Sequence, residues 1–352
     1  MRLLVVTQIV DTNDSNLGFF HAWLQRIAAQ VDSMIVLCLK KGEYQLPANV
    51  TVLSLGKEQS PAERHTRNTL GYIFNFYRLA FITYRKQYDH VFIHMNPEYV
   101  ILGGPLWRVS GKKVLLWYTH KAVNWRLRVA AMFASKIFTA SKESCRLKTK
   151  KVEVVGHGIA VDAFSSRGDI DEGDPIRFLS VARISPVKDL ETVILAVAEM
   201  KKTFARPLLL DIVGDAITAA DFEYEKTLRE LVVRLNLGDV VHFLGGKTQG
   251  DLKALYPDHD IFLHTSKTGS IDKVVLEALA AGLEVFTTSE AYGGFEEVLN
   301  RVHGNDQKKL AEAIEKKINA GILKRNDAGM EFVKKYYNLD RHIQKIITYF
   351  NG

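Results

Sequence analysis

The sequence is poor in cysteine and contains no long apolar run. Its two cysteines, Cys38 and Cys145, form no CxxC pair, so no disulfide framework is expected and a reducing cytoplasm is the simplest location. No stretch of about 18 consecutive apolar residues is available to cross a bilayer. The first apolar segment, residues 3–6, is soon followed by polar residues 11–14. It is too short for a signal peptide and predicts a buried strand instead.

The length of the chain indicates how many domains it has, and its charge indicates which partners it favours. At 352 residues it exceeds the size of a single hydrophobic core, so two domains of roughly 170 residues are expected. Hydrophobic residues make up 47% and charged residues 25%, as in an ordinary globular protein. The formal net charge of +7 favours anionic partners, namely nucleic acid, a phospholipid surface or phosphorylated small molecules, and does not choose among them.

Short β-branched runs alternate with longer helical patterns, which predicts βα units and parallel sheets. Candidate strands are residues 3–6, 34–39, 50–55, 91–94, 114–117, 137–139 and 152–155 in the first half, and 178–181, 208–213, 241–244, 261–264 and 285–287 in the second. The predicted fold class is therefore α/β, with two doubly wound, Rossmann-like domains. Such sheets bind ligands at the carboxyl ends of their strands, so two of them facing each other are expected to form a binding cleft.

A polar, Gly- and Asp-rich segment without periodicity separates the two halves and predicts an interdomain linker at residues 166–176. The first domain is accordingly assigned to residues 1–165 and the second to residues 177–335. Apolar residues recur at helical spacing after Lys309. We expect the last helix, residues 336–352, to pack back on the first domain.

The strongest local signal lies in residues 178–192, where a buried strand ends in a loop with two cations, Arg183 and Lys188, and a helix follows. This order delivers both cations to the carboxyl edge of the sheet. A guanidinium chelates two oxygens and an ammonium neutralises the remaining charge, so the pair suits a diphosphate. Two surface cations beside a turn are the alternative.

A second segment, residues 261–282, has the same design: a strand, a Gly/Ser/Thr-rich loop and a short helix closed by Gly282. Free amides at the start of that helix favour an anion. Glu277 lies within the otherwise apolar helix and needs hydrogen-bond donors. Ribose hydroxyls are such donors, and a structural salt bridge is the alternative.

These segments carry a family resemblance. Residues 177–290 resemble the C-terminal domain of the retaining glycosyltransferases of family 4, the glycosyl transferases group 1, which have the GT-B fold. The matching stretches are residues 181–188, 212–215, 241–245, 260–263 and 275–282. The resemblance implies that Arg183 and Lys188 bind the diphosphate of a nucleotide-sugar, either UDP- or GDP-linked, and that Glu277 binds its ribose. The donor-binding residues are completed by Gly18, Gly214, Gly269, Ser270, Asp272, Lys273 and Val274.

The chain departs from the family pattern in its donor loop. The family usually carries two glutamates separated by seven residues, and the first of them would fall at Gly269. Asp272 and Lys273 stand in a segment that is commonly uncharged, and Asp189 replaces the usual glycine after the lysine. The missing glutamate is associated with the donor sugar, so the resemblance implies nucleotide binding and leaves the sugar open.

The first half resembles the same family more weakly. Residues 154–164 are similar to the family's crossover segment between domains. Asn16 and Gly18 lie in the loop after the first strand, where the family approaches donor phosphate and acceptor. His120 follows the strand at residues 114–117 and matches a histidine beside the transferring sugar, where it is expected to take part in catalysis with Arg183 and Lys188. Asn16 and the adjacent Lys121 are assigned to the acceptor.

The implied reaction is retaining transfer without a protein nucleophile and without a metal or other cofactor. Residues 169–171 and 258–260 both have the DxD spacing of metal-dependent transferases, but the first lies in the linker and the second leads into a strand, so neither is expected to bind metal. The acceptor implied by the resemblance is a glycan or lipid-linked molecule of polysaccharide, lipopolysaccharide or glycolipid assembly.

The aromatic and basic residues 72–86 and 125–128 suit the headgroup region of a membrane, although core packing also explains the first of these segments. We therefore expect a cytoplasmic protein with peripheral contact to the inner face of the cytoplasmic membrane.

Three other functions stay open at this point. The missing glutamate at Gly269 is compatible with a nucleotide-sugar-binding pseudoenzyme. A GT-B-fold sugar-nucleotide epimerase would need a set of elimination residues that the sequence does not reveal. Nucleic-acid binding is suggested by charge alone, without a recognition motif or a basic stripe with stacking aromatics, and we expect no nucleic-acid partner.

Overall fold

The computed structural model of the chain describes residues 1–59, 69–166, 168, 174–321 and 324–352. These residues form two compact units. The first comprises Met1–Gly158 together with Leu339–Gly352, and the second comprises Ile159–Asn338. Each unit contains its own parallel sheet, which confirms the predicted pair of doubly wound α/β sheets.

The sheet of the first unit has seven described strands in the order β3-β2-β1-β4-β5-β6-β7, all paired in parallel. Residues 3–6 of its central strand are buried on both faces, which explains why the sequence shows a continuous apolar run rather than alternation. The strands are β1 (Arg2–Val10), β2 (Ser33–Lys41), β3 (Val50–Ser54), β4 (His90–His94), β5 (Val114–Trp117), β6 (Lys136–Thr139) and β7 (Val152–Val154).

Four helices follow strands of this sheet: α1 (Phe20–Ala28), α2 (Thr69–Tyr77), α3 (Pro97–Val109) and α4 (Trp125–Phe133). A π-helical segment, Arg78–Thr83, continues α2. Local sequence sets several of the helix starts. Pro97 occupies the first position of α3, where no amide hydrogen is needed, and the side chain of Asn124 caps α4 by accepting the amide of Leu127 at 3.0 Å.

The sheet of the second unit has the strand order β10-β9-β8-β11-β12-β13 among its described residues. Its strands are β8 (Ile176–Val181), β9 (Leu208–Val213), β10 (Val241–Phe243), β11 (Ile261–His264), β12 (Glu284–Thr287) and β13 (Asn300–Arg301). The last of these was not predicted, because a pair of polar residues leaves no apolar signal. The α-helices in the described part of this unit are α5 (Leu190–Thr203), α6 (Ala219–Arg234), α7 (Gln249–Leu255), α8 (Lys273–Ala280), α9 (Gln307–Asn319) and α10 (Asp327–Tyr336).

The final helix, α11 (Leu339–Asn351), belongs to the first unit. His342 on this helix is buried between Trp23, with ring centroids 4.4 Å apart, and Trp117, at 4.9 Å. Further along, the ammonium of Lys113 donates to the carbonyl of Phe350 at 3.1 Å. The helix is therefore part of the first unit's core.

The division between the units falls between Gly158 and Ile159, before the predicted linker at residues 166–176. The backbone shows why. The amide of Ile159 donates to the carbonyl of Tyr337 at 2.7 Å, so residues from Ile159 onward already pack with the second unit. Most of the predicted linker, including residues 169–173, lies outside the described residues.

Among the helices of the described residues, none is both long and apolar enough to cross a membrane.

The burial of His342 predicts a pH-dependent stability of the first unit. Burial, reinforced by the charges of His157 and Lys345, lowers the pKa of His342 from 6.5 to about 3. At a pH between these two pKa values, His342 binds a proton in the unfolded chain but not in the folded chain. The free energy of unfolding therefore falls by about 1.4 kcal/mol for each pH unit below 6.5. We expect His342→Phe to remove this loss. Urea unfolding at pH 7 and pH 4.5, followed by the fluorescence of the tryptophans, which all lie in this unit, measures it.

His303→Phe is the matched control, because His303 is exposed and lies in the second unit. It should retain the pH slope of the parent protein. Equal slopes for His342→Phe and the parent protein would show that His342 does not titrate in this window.

Candidate functional site

The second unit brings its two predicted loops together at one point of the sheet. Strands β8 and β11 pair in parallel, with Phe178 opposite Ile261, while the chain leaves β8 toward β9 on the other side. This is the switch point of the sheet, where open α/β sheets bind ligands beyond the carboxyl ends of the strands. Arg183 and Lys188 follow β8, and the Gly/Ser/Thr-rich loop follows β11.

The loop that carries Arg183 is fixed by its backbone. The amide of Ile184 donates to the carbonyl of Asp215 at 3.0 Å. Gly214 approaches so closely that a Cβ there would lie 1.9 Å from the carbonyl oxygen of Ala182, and its φ of +145° also favours glycine. The side chain of Arg183 is 44% exposed, with Nε 4.0 Å from Asp221, so its guanidinium can bind an anion.

Lys188 ends a short 3-10 turn, Pro186–Lys188, and Asp189 follows in the left-handed conformation, with φ +52° and ψ +44°. This conformation explains why glycine would be expected at position 189. The side chain of Asp189 makes contacts that stabilise this conformation. It accepts hydrogen bonds from Thr192 at 2.9 Å and from Asn305, and it lies 3.1 Å from the ammonium of Lys267.

One threonine ties the two loops to each other. The hydroxyl of Thr265, directly after β11, is shared between the carbonyls of Lys188 at 3.0 Å and Asp189 at 2.8 Å. Next to it, the amide of Lys267 donates to the carbonyl of Val187 at 2.8 Å. Hydrogen bonds therefore join the two sequence segments into a single site, called the cross-linked site below.

Lys188 is paired within this site. Its ammonium lies 2.5 Å from Oδ2 of Asp272, which also receives Nε2 of His264 at 3.0 Å. Burial by itself raises the pKa of Asp272, but the hydrogen bond from His264 and the charge of Lys188 outweigh it and hold the pKa well below its usual value. Asp272 is thus a carboxylate at neutral pH.

The tautomer of His264 follows from its hydrogen-bond network. The hydroxyl of Thr287 accepts the amide of Ser289 at 3.1 Å and lies 2.9 Å from Nδ1 of His264. The hydroxyl donates to Nδ1, which leaves the proton of the imidazole on Nε2 and directed at Asp272. His264 thus donates a hydrogen bond to this carboxylate.

Glu277 is 3% exposed and has two protein partners. Its Oε1 lies 2.9 Å from the ammonium of Lys273, and its Oε2 accepts the hydroxyl of buried Tyr256 at 3.1 Å. The structural salt bridge left open by the sequence is therefore present. A ribose contact stays a prediction, and it would require ribose hydroxyls to share these oxygens.

The remaining predicted donor residues line the same loop and helix start. Gly269 has φ +65°, so its backbone is in a conformation that suits glycine and would strain a glutamate. The hydroxyl of Ser270 donates to that of Thr268 at 3.3 Å. Val274 lies in the first turn of α8, directly after Lys273.

In the first unit, a cavity of about 920 Å³ lies at the switch point between β1 and β4. It brings together two of the predicted residues, Asn16 and His120. Its walls are largely apolar and aromatic: Leu17, Leu39, Leu55, Tyr72, Ile73, Phe76, Tyr99, Leu102 and Tyr118. Such a cavity suits a partly apolar ligand with a few polar anchors.

The floor of this cavity contains a backbone outlier. Met95, directly after β4, has φ +70°, which is rare for a residue other than glycine and costs about 1–3 kcal/mol. Strain of this kind concentrates at functional sites. Asn96 and Glu98, which follow it, also line the cavity and were not predicted.

The other predicted residues of the first unit lie as follows. His120 is exposed, and its Nδ1 accepts the amide of Ala122 at 3.1 Å, which leaves Nε2 as the proton-bearing nitrogen in the neutral ring. Lys121 is exposed and is not among the residues that line the cavity. Gly18 is packed against its own loop, since a Cβ there would lie 2.6 Å from the carbonyl oxygen of Asp14. Local packing thus accounts for this glycine without a ligand.

The described residues contain no group of three or more His, Cys, Asp or Glu side chains that could hold a metal ion. Within the DxD segment of residues 258–260, Asp260 accepts the amide of Arg177 at 2.8 Å, and His259 lies 3.0 Å from Asp211. These contacts are structural. The other DxD segment, residues 169–171, lies outside the described residues.

A family comparison agrees with this site. Residues 163–330 match the profile of the glycosyl transferases group 1. Over these residues, which make up slightly less than half of the chain, the protein is similar to the glycosyl transferases group 1. The matched range contains Arg183, Lys188 and the whole loop after β11. The group 1 residues are therefore those that build the cross-linked site.

Solved structures resemble the chain over its full length. Anabaena HepE, crystallised with UDP and glucose, has a TM-score of 0.75 at 18% identity, and the match covers 100% of both chains. Sucrose-phosphate synthase from Thermosynechococcus elongatus has a TM-score of 0.76 at 16% identity, over 100% of this chain and 98% of that one. At these identities the likeness establishes the fold, which is GT-B.

Two curated relatives carry the name "Putative colanic acid biosynthesis glycosyltransferase WcaL". The Salmonella typhimurium protein is 28% identical over 187 residues, which is 51% of this chain and 44% of the relative. The Escherichia coli protein is 27% identical over 219 residues, which is 58% of this chain and 52% of the relative. The chain thus spans about half the length of the curated relatives that it matches.

Sequence reasoning missed the two histidines that end β4 and β11, His94 and His264. Each is buried, and each ends a strand that flanks the switch point of its sheet. A polar residue that closes an otherwise apolar strand at such a point was the available signal. The hydrogen bonds of Thr265 had no sequence signal, because they join segments 76 and 77 positions apart.

The conformation of Asp189 predicts an unusual order of stabilities. Asp189→Gly and Asp189→Ala both lose the contacts to Thr192 and Asn305, but only alanine is strained at positive φ. We expect Asp189→Ala to be less stable than Asp189→Gly by about 1 kcal/mol. Urea unfolding followed by far-UV circular dichroism measures the difference.

The matched control is Glu230, an exposed residue inside α6. There the order should reverse, with Glu230→Gly less stable than Glu230→Ala by about 1 kcal/mol. The same order at both positions would contradict the left-handed assignment of Asp189.

Proposed function

We propose that the chain is a retaining, metal-independent glycosyltransferase that moves a sugar from a nucleotide-diphosphate-sugar to a hydroxyl acceptor. The observation that carries the proposal is the pair of cations, Arg183 and Lys188, on a loop cross-linked to the start of α8 at the switch point of a group 1 domain. Each element fits an anionic nucleotide donor.

The diphosphate is assigned to Arg183 and Lys188. Arg183 offers a planar fork of donors from a partly exposed position, whereas Lys188 is a point charge held in place by Asp272. Together they stabilise the charge that develops on the diphosphate as the glycosidic bond breaks, which is where electrostatic catalysis acts. The amides at the start of α8 add a positive dipole end.

The nucleoside is assigned to the neighbouring part of the same unit. In this proposal Glu277 accepts ribose hydroxyls while its contacts with Lys273 and Tyr256 orient it. Gly214, Gly269, Ser270 and Val274 contribute backbone or short side chains that permit close approach. Gly18 is assigned to the donor from the first unit.

The acceptor is assigned to the cavity of the first unit. Asn16 and His120 line it, and Lys121 is next to His120 in the chain. His120 is the proposed polar group beside the transferring sugar, where it hydrogen-bonds the sugar or stabilises charge in the transition state. The apolar walls suit a lipid-linked or otherwise partly apolar acceptor. The names of the curated relatives favour a cell-envelope polysaccharide.

Donor binding predicts a selective loss of affinity. We expect a panel of UDP, GDP, UDP-glucose, UDP-galactose and GDP-mannose to contain at least one ligand that raises the melting temperature of the protein. Arg183→Ala and Lys188→Ala should each weaken the tightest ligand by at least about tenfold, since a charge-assisted hydrogen bond contributes about 1.5–3 kcal/mol. Isothermal titration calorimetry measures the dissociation constants.

Arg234→Ala and Lys226→Ala are the controls, because both side chains are exposed on α6 of the same unit. They should bind like the parent protein. If Arg183→Ala and Lys188→Ala do so as well, the site is wrong. Turnover separates the alternatives: a protein that binds a nucleoside diphosphate but neither hydrolyses nor transfers any donor is a binding module, and one that changes the sugar configuration is an epimerase.

The surface near α2 supports a peripheral membrane contact. Leu70, Phe74 and Ile82 are 81%, 66% and 77% exposed, and they recur at helical spacing. Three exposed basic residues accompany them: Arg78, Arg85 and Lys86. Apolar side chains beside positive charge suit the interface of an anionic leaflet. We therefore include the cytoplasmic face of the membrane in the proposal.

Flotation with vesicles tests this contact. The protein should float with vesicles that contain phosphatidylglycerol and remain unbound with pure phosphatidylcholine. Leu70→Ser combined with Phe74→Ser should abolish flotation, whereas Val233→Ser, at a 74% exposed position of the second unit, should not. Absence of flotation with anionic vesicles would remove the membrane from the proposal.

A further inference from the structure

Asp272 is the sole carboxylate of the loop after β11, which runs from Thr265 to Lys273. Its side chain is 18% exposed. Oδ2 receives both Lys188 at 2.5 Å and His264 at 3.0 Å. Among the described residues, none donates a hydrogen bond to the other oxygen, Oδ1. Oδ2 of this carboxylate is therefore occupied by hydrogen bonds from the protein, and Oδ1 is available to a ligand.

The residue is also rigidly placed. Its amide donates to the hydroxyl of Tyr292 at 2.8 Å, and that hydroxyl donates back to its carbonyl at 3.0 Å. Tyr292 itself is fully buried. Because backbone and side chain are both held, the carboxylate cannot turn away from Lys188 without breaking several hydrogen bonds at once.

We propose that Oδ1 of Asp272 accepts a hydrogen bond from a hydroxyl of the donor sugar, while Oδ2 holds Lys188 against the diphosphate. The inference rests on the proposed function, in which Lys188 binds that diphosphate. The sugar is bonded to the distal phosphate, so a group in contact with the phosphate's cation lies beside the sugar. An ionised carboxylate is an acceptor only, and a sugar hydroxyl is the matching donor.

Gly269 cannot accept a hydrogen bond from the donor sugar through a side chain, whereas Asp272 can. Gly269 has no side chain, and its positive φ disfavours any larger residue. The remaining polar side chains of the segment are hydroxyls and two lysines: Lys267, whose ammonium lies 3.1 Å from Asp189, and Lys273, whose ammonium lies 2.9 Å from Glu277. Asp272 is therefore the strong acceptor that the loop offers to a sugar.

The arrangement has a consequence for selectivity. A free nucleoside diphosphate lacks the hydroxyls of the donor sugar, so for it Asp272 is only a nearby negative charge, which is unfavourable. A nucleotide-sugar gains a charge-assisted hydrogen bond in compensation. Asp272 is thus a specificity-determining residue that favours the donor over the released nucleoside diphosphate.

The test compares two ligands on Asp272→Asn, which removes the charge and keeps a similar shape. The ligands are the tightest nucleotide-sugar among UDP-glucose, UDP-galactose and GDP-mannose, and its parent diphosphate. We expect Asp272→Asn to weaken the nucleotide-sugar by a factor at least about tenfold larger than the factor by which it changes the affinity for the diphosphate. Asp306→Asn, which changes the cap of α9 in the same way, should alter neither.

A second measurement identifies the sugar hydroxyl that is read. Single deoxy analogues of the tightest nucleotide-sugar are titrated into the parent protein, and one of them should lose at least about tenfold in affinity. That same analogue should bind Asp272→Asn no more weakly than the complete nucleotide-sugar does.

Three results overturn the inference. If Asp272→Asn weakens nucleotide-sugar and diphosphate by the same factor, the residue only positions Lys188. If it strengthens both equally, the carboxylate only repels the donor. If no deoxy analogue loses affinity on the parent protein, no sugar hydroxyl is read. A parent protein that binds none of the diphosphates or nucleotide-sugars refutes the proposed function itself, which distinguishes the two failures.

Discussion

The parallel pairing of β8 with β11 is the constraint on which the candidate site depends. Phe178 opposite Ile261 and Leu179 opposite Phe262 set the register, and both strands then end at the same edge of the sheet. The hydroxyl of Thr265 fastens the loops that follow, and the ion pair of Lys188 with Asp272 joins their side chains. Without this pairing, a cation and a carboxylate 84 positions apart in sequence would not meet.

The sequence predicted the sheets well, because strands buried on both faces leave unbroken apolar runs such as residues 3–6. It missed β13, which consists of Asn300 and Arg301 and is held by backbone pairing with β12. The structure divides the two units before the predicted linker for a related reason. Polarity marks exposure to solvent, whereas the division of the units follows packing, and Ile159 already bonds to Tyr337.

The candidate site was predictable where a single segment carries the signal. Strand, loop and helix around Arg183 and Lys188 are local, and so is the loop before Glu277. The partners were not predictable. Lys273 forms an ion pair with Glu277, and Tyr256 donates a hydrogen bond to it. His264 hydrogen-bonds Asp272. These contacts depend on tertiary packing. Met95 and Asp189 break local conformational rules, and both lie at the switch points, where such departures are expected of functional sites.

The return of α11 to the first unit makes the second unit a topological insertion. Residues 159–338 are continuous, whereas the first unit is assembled from residues 1–158 and 339–352. During synthesis the second unit is complete before the first, since the core around Trp23 and Trp117 lacks His342 until the residues after 338 have been made. The cavity-bearing unit therefore matures after the second unit, and a truncation that removes α11 would damage that unit rather than the one that carries Arg183 and Lys188.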